Sequence, residues 1–332
     1  MKIHKRNIIF IIAIFFVLLF FSVVSILTGV VRFSFSDFGE IFSKGTQTMA
    51  GKIIFYIRIP RLFAAILAGA ALSVAGFLIQ TVLANPLASP GIIGVNSGAG
   101  LFSVACMALF PQKIALLPFA AFAGGMLAVF LVYSIALKTG ASRITLILSG
   151  AAISSLMSAG TNTILTFFPD AISSYSSFQH GGFAGVSINT LIYPAAVIFA
   201  GIFLAIIFSA ELDIIGLGEN MAFSLGLNVK FYRLFFLAIA SALAGAAVSF
   251  AGLIGFVGLI IPHMARFLIK GAAKSELLPV CSLLGAAFLT LCDLAARTIF
   301  SPFEFPVGIV ISFLGVPFFL WLLFNKEKGE LK

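Results

Sequence analysis

Ten apolar stretches, most of them close to the length of a membrane-spanning helix, decide what this chain can become. They lie near 8–31, 62–83, 91–110, 114–137, 144–167, 191–209, 231–250, 255–269, 277–296 and 305–324, separated by charges or by proline and glycine. A bilayer core about 30 Å thick is crossed by about 20 apolar residues in a helix, and only helices or closed barrels satisfy their own backbone there. The chain therefore reads as an all-α polytopic membrane protein with about ten transmembrane helices. The eighth run is the short one and is expected to be tilted, broken or partly re-entrant. A single membrane domain over 1–332 leaves no room for a separate soluble catalytic unit.

Only 9% of the residues are charged, against about a quarter in soluble domains. The net charge is +9, but the lysines and arginines stand singly between apolar runs rather than in one patch, so nucleic acid is not an expected partner. In a membrane their placement reports topology instead. With ten spans both termini share a side, and that side holds 13 of the 20 basic residues: Lys2, Lys5, Arg6, Lys138, Arg143, Lys230, Arg233, Arg266, Lys270, Lys274, Lys326, Lys328 and Lys332. That side is expected to be cytoplasmic. Arg32, Lys44, Lys52, Arg58, Arg61, Lys113 and Arg297 fall on the other side, and Arg58, Arg61 and Arg297 adjoin the ends of apolar runs. Lys2, Lys5 and Arg6 before the run 8–31 imitate a signal peptide, but the run exceeds an h-region of about 7–15 residues, so a retained first helix is expected.

Leu67 to Gly76 reads LAGAALSVAG and Leu243 to Gly252 reads LAGAAVSFAG, with eight of ten positions identical, and Pro86 matches Pro262 at the same offset of 176 residues. The copies lie on the second and seventh runs, an odd number of crossings apart. They must traverse the membrane in opposite directions, which is the signature of an inverted-topology repeat, common among transporters. The two prolines are expected to be helix breakers beyond each copy.

Enzyme chemistry finds little support. Lys52 follows Gly51, but Ile53 stands where a phosphate loop needs Ser or Thr, so the energy for transport is expected from another subunit. His4, His180 and His263 have no converging metal-ligand spacing, and no cofactor is expected. Cys106, Cys281 and Cys292 lie in apolar runs without CxxC spacing and read as helix-packing residues. All eleven carboxylates, among them Asp37, Glu40, Asp213, Asp293 and Glu304, fall in loops, tails or near helix ends. An ion-coupled carrier commonly buries such a group deep in the bundle, which argues against that alternative.

Arg58-Ile-Pro-Arg61, Asn85-Pro-Leu-Ala-Ser-Pro-Gly-Ile-Ile-Gly94, Gly255-Phe-Val-Gly-Leu-Ile-Ile-Pro-His-Met-Ala-Arg266, Asp293-Leu-Ala-Ala-Arg297, Glu304-Phe-Pro-Val-Gly308 and Gly315-Val-Pro-Phe318 together resemble the FecCD-type permeases of iron-siderophore and cobalamin importers. The resemblance covers nearly the whole chain. It implies a cobalamin-importer-permease-like fold in a bacterial cytoplasmic (inner) membrane, both termini inside, with a second permease subunit, a homodimer, around a central pathway. It further implies two ATP-binding-cassette ATPase subunits and an external substrate-binding protein. The cargo is expected to be an iron-siderophore or related iron chelate, with cobalamin or haem as alternatives.

The same resemblance supplies site residues. It implies that Arg58, Arg61 and Arg297 meet carboxylates of the binding protein, as an exposed arginine fork would. It assigns the ATPase coupling loop to 211–230, with Gly216, Gly218, Glu219, Met221, Phe223, Leu225, Gly226 and Leu227 on two short helices that meet at glycines. It places a cytoplasmic gate at Gly140-Ala-Ser-Arg143, carried by Ala141 and Ser142, where Ala141 departs from the family's usual Ser or Thr. Gly271-Ala-Ala-Lys274 and Phe178 are further departures. The pathway itself is expected to be lined by small and apolar residues.

Overall fold

The computed structural model describes residues 5–29, 31, 43, 45–138, 142–299 and 301–330. Lys2, His4, Arg32, Asp37, Glu40, Lys44, Gly140, Ala141 and Lys332 lie outside the described residues. The main helices are α1 (Lys5–Leu27), α2 (Ile59–Val82), α3 (Val95–Leu109), α4 (Leu117–Lys138), α5 (Arg143–Phe167), α6 (Ala171–His180), α7 (Ile188–Ile207), α8 (Ser209–Gly216), α9 (Glu219–Ser224), α10 (Val229–Ala251), α11 (Val257–Leu268), α12 (Lys274–Thr298) and α13 (Val307–Glu330). Seven helical stretches among the described residues are long and apolar enough to cross a membrane, and α3, α11 and Val307–Trp321 of α13 are shorter apolar helices. The protein is a multi-pass all-helical membrane protein, and the ten apolar helices among the described residues match the ten runs.

Three details depart from the run boundaries. The second helix is entered earlier than its apolar run, because Met49–Ile53 and a wider turn at Ile54–Arg58 lead without a break into α2. Lys52 and Arg58 had hidden that continuity. The third run splits at Gly94, whose φ of 87° is a left-handed conformation that suits glycine, into a turn at Pro90–Ile93 and α3. Finally, the polar segment after α5 carries a helix of its own, α6.

The bundle is assembled around α2, which packs on α10, α12, α11 and α7 and is buried on nearly every face. Its small residues make this possible. A Cβ on Gly69 would strike the carbonyl of Gly285 in α12, and one on Gly76 would strike the carbonyl of Gly258 in α11, so the backbones approach as closely as helices of small residues allow. Direction follows from the pairs: Arg61 meets Asp293, Gly69 meets Gly285 and Ser73 bonds the carbonyl of Cys281, so α2 and α12 run antiparallel. Asn7 bonds Glu276 at one end of α1 and Arg297 bonds Ser25 at the other, so α1 and α12 run parallel.

The repeat has inverted geometry. The C-terminal end of α10 reaches Gly181, which also packs by Gly308 at the start of α13, close to Glu304 and hence to the N-terminal end of α2. The N-terminal end of α10 pairs with α9 at the opposite end of the bundle. The two copies of the motif therefore run in opposite directions. The two prolines are not equivalent, however. Pro86 lies in the turn after α2, whereas Pro262 sits inside α11. Expecting a breaker at both positions was wrong for Pro262, and Gln80 explains how the helix survives. Proline 262 cannot donate to the carbonyl of Gly258 four residues before it; the Gln80 side chain donates to that carbonyl instead, at 3.1 Å.

Candidate functional site

The end of the bundle where α2 begins is built from charges. Arg61, in the first turn of α2, donates through Nε to both oxygens of Asp293 on α12, at 2.9 and 3.2 Å, and through Nη1 to Glu304 at 2.7 Å. Arg297, one turn beyond Asp293 on the same helix, lies 3.4 Å from its second oxygen. Arg297 also donates to the carbonyls of Thr28 and Ser25, at 3.0 and 2.7 Å, and to the Ser25 hydroxyl. Arg58 donates to the carbonyls of Ile26, Leu27 and Val31. The carbonyls at the end of a helix have no intrahelical donor. Here Arg58 and Arg297 serve those of Ser25, Ile26, Leu27 and Thr28, so the two guanidinium groups cap α1 where its dipole is negative.

This corrects one expectation. Arg58, Arg61 and Arg297 were expected as an exposed fork, yet they are 5%, 7% and 4% exposed. A buried guanidinium needs its hydrogen bonds met inside the protein, and carboxylates and carbonyls, most of them remote in sequence, meet the greater part of them. Glu304 is the accessible member of the group, with a side chain 40% exposed against 1% for Asp293.

At the opposite end, the segment assigned to coupling folds as α8 and α9. Gly218, with φ 103°, opens α9, and Gly226, with φ 80°, follows it. The turn closes through Leu227 N–H to the Ala222 carbonyl at 3.1 Å. Leu212, Ile215 and Ala222 are buried, and Leu227 packs on the core. The outer face is apolar instead: Leu217, Met221, Phe223 and Leu225 are all well exposed. The pair of helices is pinned to the bundle. Glu219 pairs with the buried Arg233 of α10 at 2.9 Å, Asp213 accepts the Ser275 N–H of α12 at 3.0 Å, and the Lys274 stem lies over Gly216.

Of the gate pair, Ala141 is outside the described residues. Ser142 is exposed and caps α5, its hydroxyl accepting the Thr145 N–H at 3.1 Å. The two described histidines bond carbonyls of their own helices, His180 that of Ser176 and His263 that of Leu259. The three cysteines are buried and unpaired, in keeping with packing residues.

Two groups escaped the reading of the sequence. Gln80, 2% exposed, donates to Gly258 and accepts from Arg266 at 2.8 Å, tying α2 to α11. A buried amide in an otherwise apolar run was the available signal. The other is α5, the least hydrophobic of the seven long spans, whose exposed residues include Ser155, Ser158, Asn162, Thr163 and Thr166. Their recurrence at helical spacing marks one polar face. Ser155, Thr163 and Thr166 donate to carbonyls four residues earlier on the same helix, which leaves oxygen lone pairs facing outward. Beyond the end of α5 a hollow of about 700 Å³, lined in part by Lys113, Phe167, Asp170 and Phe178, lies among the ends of α3, α6 and α10.

A profile of the FecCD transport family matches residues 17–325. The chain is 36% identical over 323 residues to the Fe(3+)-citrate import system permease protein YfmE of Bacillus subtilis, covering 96% of each chain. It is 38% identical over 288 residues to the cobalamin import system permease protein BtuC of Halobacterium salinarum, covering 86% of this chain and 77% of that one. A solved metal-chelate type ABC transporter in an inward-facing conformation superposes with a TM-score of 0.84 at 28% identity, covering 95% of this chain and 98% of that one.

Proposed function

Because the chain belongs to the FecCD transport family, we propose that it is the permease of an ATP-binding-cassette importer that moves an iron chelate inward by alternating access. Two copies would enclose the pathway, two ATPase subunits would bind the end bearing α8 and α9, and a substrate-binding protein would dock at the arginine end. That orientation places both chain ends in the cytoplasm of a bacterial cell, at the inner membrane, as the positive-inside count favours.

The observation that carries this reading is the outer face of α8 and α9. Four large apolar side chains, Met221 and Phe223 on α9 and Leu217 and Leu225 at the C-terminal caps of α8 and α9, stand on a segment fixed to α10 and α12. An apolar knob in water is a liability unless a groove receives it. Its attachment to α12 gives a partner that pushes on it a lever into the bundle. Ligand-driven closure and opening then follow from differential stabilisation of two states.

The polar face of α5 supports its role as pathway wall. A hydroxyl-bearing face is costly against lipid and natural against water. A pathway along this face would be more polar than the small, apolar lining expected, since it carries hydroxyls and the Asn162 amide. Such a wall offers weak acceptors and no fixed charge, so it passes a hydrophilic chelate without holding it. Iron-citrate and cobalamin permeases are similar to this chain at 36% and 38% identity, so overall identity does not choose the cargo. An uncharged polar wall suits a hydrophilic iron chelate or cobalamin better than apolar haem, and the iron chelate is preferred because an iron-citrate permease stands among the relatives with the highest coverage.

Uptake by vesicles holding the permease with its ATPase, with the substrate-binding protein outside and ATP trapped inside, tests the proposal. Labelled ferric citrate or ferric hydroxamate should enter only with ATP, and collapsing the ion gradients should leave the rate unchanged. Uptake driven by a proton or sodium gradient without ATP would refute it.

A further inference from the structure

The arginine end contains its own carboxylates, and they are not equivalent. Asp293 is sealed at 1% side-chain exposure between Arg61 and Arg297, and expelling it would leave two buried cations uncompensated. Glu304 holds Arg61 by a single charge-assisted bond at 2.7 Å from a side chain 40% exposed. It sits on the short connection between α12 and α13, which is tied back by the Phe305 N–H to the Ala296 carbonyl at 3.0 Å. Three residues later α13 begins at Val307, and Gly308 packs against the carbonyl of His180 in α6.

We propose that Glu304 is an exchangeable internal ligand: it occupies Arg61 while the outer face is free, and an acidic side chain of the docking protein displaces it. The inference rests on the docking reading above. Arg58 and Arg297 cap α1, so Arg61 is the member of the trio whose partner can leave at low cost. One carboxylate replaces another on the same donor, so the exchange itself is close to neutral. Its consequence is mechanical, because Glu304 no longer anchors the α12–α13 connection and the start of α13 is freed from α2. Docking is thereby reported to a membrane-spanning helix.

The sign of one measurement separates this from a plain structural contact. The permease, in lipid nanodiscs, is titrated with the soluble substrate-binding protein of its own importer. Glu304→Gln and Glu304→Ala remove the competitor and should bind that protein about fivefold more tightly, the factor given by about 1 kcal/mol for a partly exposed ion pair. Glu304→Asp should fall between them and the native chain. Arg61→Lys keeps the charge but loses the fork, and should bind more weakly. Glu304 variants that bind equally or less well, while Arg61→Lys weakens binding, overturn the exchange and leave the docking reading standing. Native affinity in Arg61→Lys removes both. Thermal unfolding of each variant shows that the comparison is between folded proteins.

Discussion

Gln80 shows how much one side chain does inside this bundle. Its amide donates to the carbonyl that Pro262 leaves without a partner, and its oxygen accepts from Arg266. Gln80→Leu keeps a similar shape, strands the buried Gly258 carbonyl and deprives the partly buried Arg266 of its acceptor, and the stranded carbonyl alone costs about 1–3 kcal/mol. It should lower the unfolding temperature in detergent. Pro262→Ala restores a backbone donor to Gly258, so the Gln80→Leu penalty should shrink in that background. A double-mutant cycle in which the two changes simply add would show that Gln80 does not compensate for the proline. At the other end, Asp293→Asn removes the charge shared by Arg61 and Arg297. Breaking a buried pair costs about 3–5 kcal/mol, so the protein should lose most of its detergent-stable fraction in size-exclusion chromatography. Retention of native stability would mean that the two arginines are satisfied without it.

At the scale of elements, the closest approach of α2 to α12 is backbone to backbone, at Gly69 and Gly285. A Cβ at Gly285 would meet the carbonyl of Gly69 as well as the Ser73 side chain, and a carbonyl in a packed helix cannot turn aside. Gly285→Val should therefore force α2 and α12 apart and cost about 3 kcal/mol or more, read as loss of folded protein after solubilisation. Gly218→Ala is the contrasting case: nothing lies within 4 Å and only the φ of 103° resists, at about 1–3 kcal/mol. The long helices were legible because apolarity over about 20 residues has few other outcomes. The glycine contacts were half legible, since the repeated motif announced close packing without naming Gly285 or Gly258 as partners. Arg58, Arg61 and Arg297 were misread as exposed because a charge at the end of an apolar run looks the same whether it faces water, as expected, or the carbonyls of α1 and the carboxylates of Asp293 and Glu304, as found. The helix α6 escaped notice because its serines give no apolar period.

For the molecule as a whole, α12 links the two ends. Its 25 residues span about 37 Å, from the Ser275 N–H held by Asp213 to the guanidinium of Arg297 among the α1 carbonyls. A partner pressing on α8 and α9 thus acts on the helix that carries Asp293. Phe223→Asp alters a side chain 77% exposed, so the unfolding temperature should stay unchanged while co-purification of the ATPase falls; an intact complex would remove Phe223 from the contact. The α5 face permits a separate test of the pathway. Ser158 and Asn162 are a helical turn apart and both exposed, so leucine at both positions should be tolerated by folding and should make that stretch of wall bulky and apolar. If this face lines the route, transport of ferric citrate or ferric hydroxamate should fall at least about tenfold, equivalent to about 1.4 kcal/mol in the barrier, while binding-protein affinity and ATPase association remain native. If the face instead meets lipid, the same leucines remove polar groups from hydrocarbon, so stability should rise and transport should persist. The two placements of α5 therefore predict opposite results from one variant: lost flux without lost assembly, or a more stable permease that still transports.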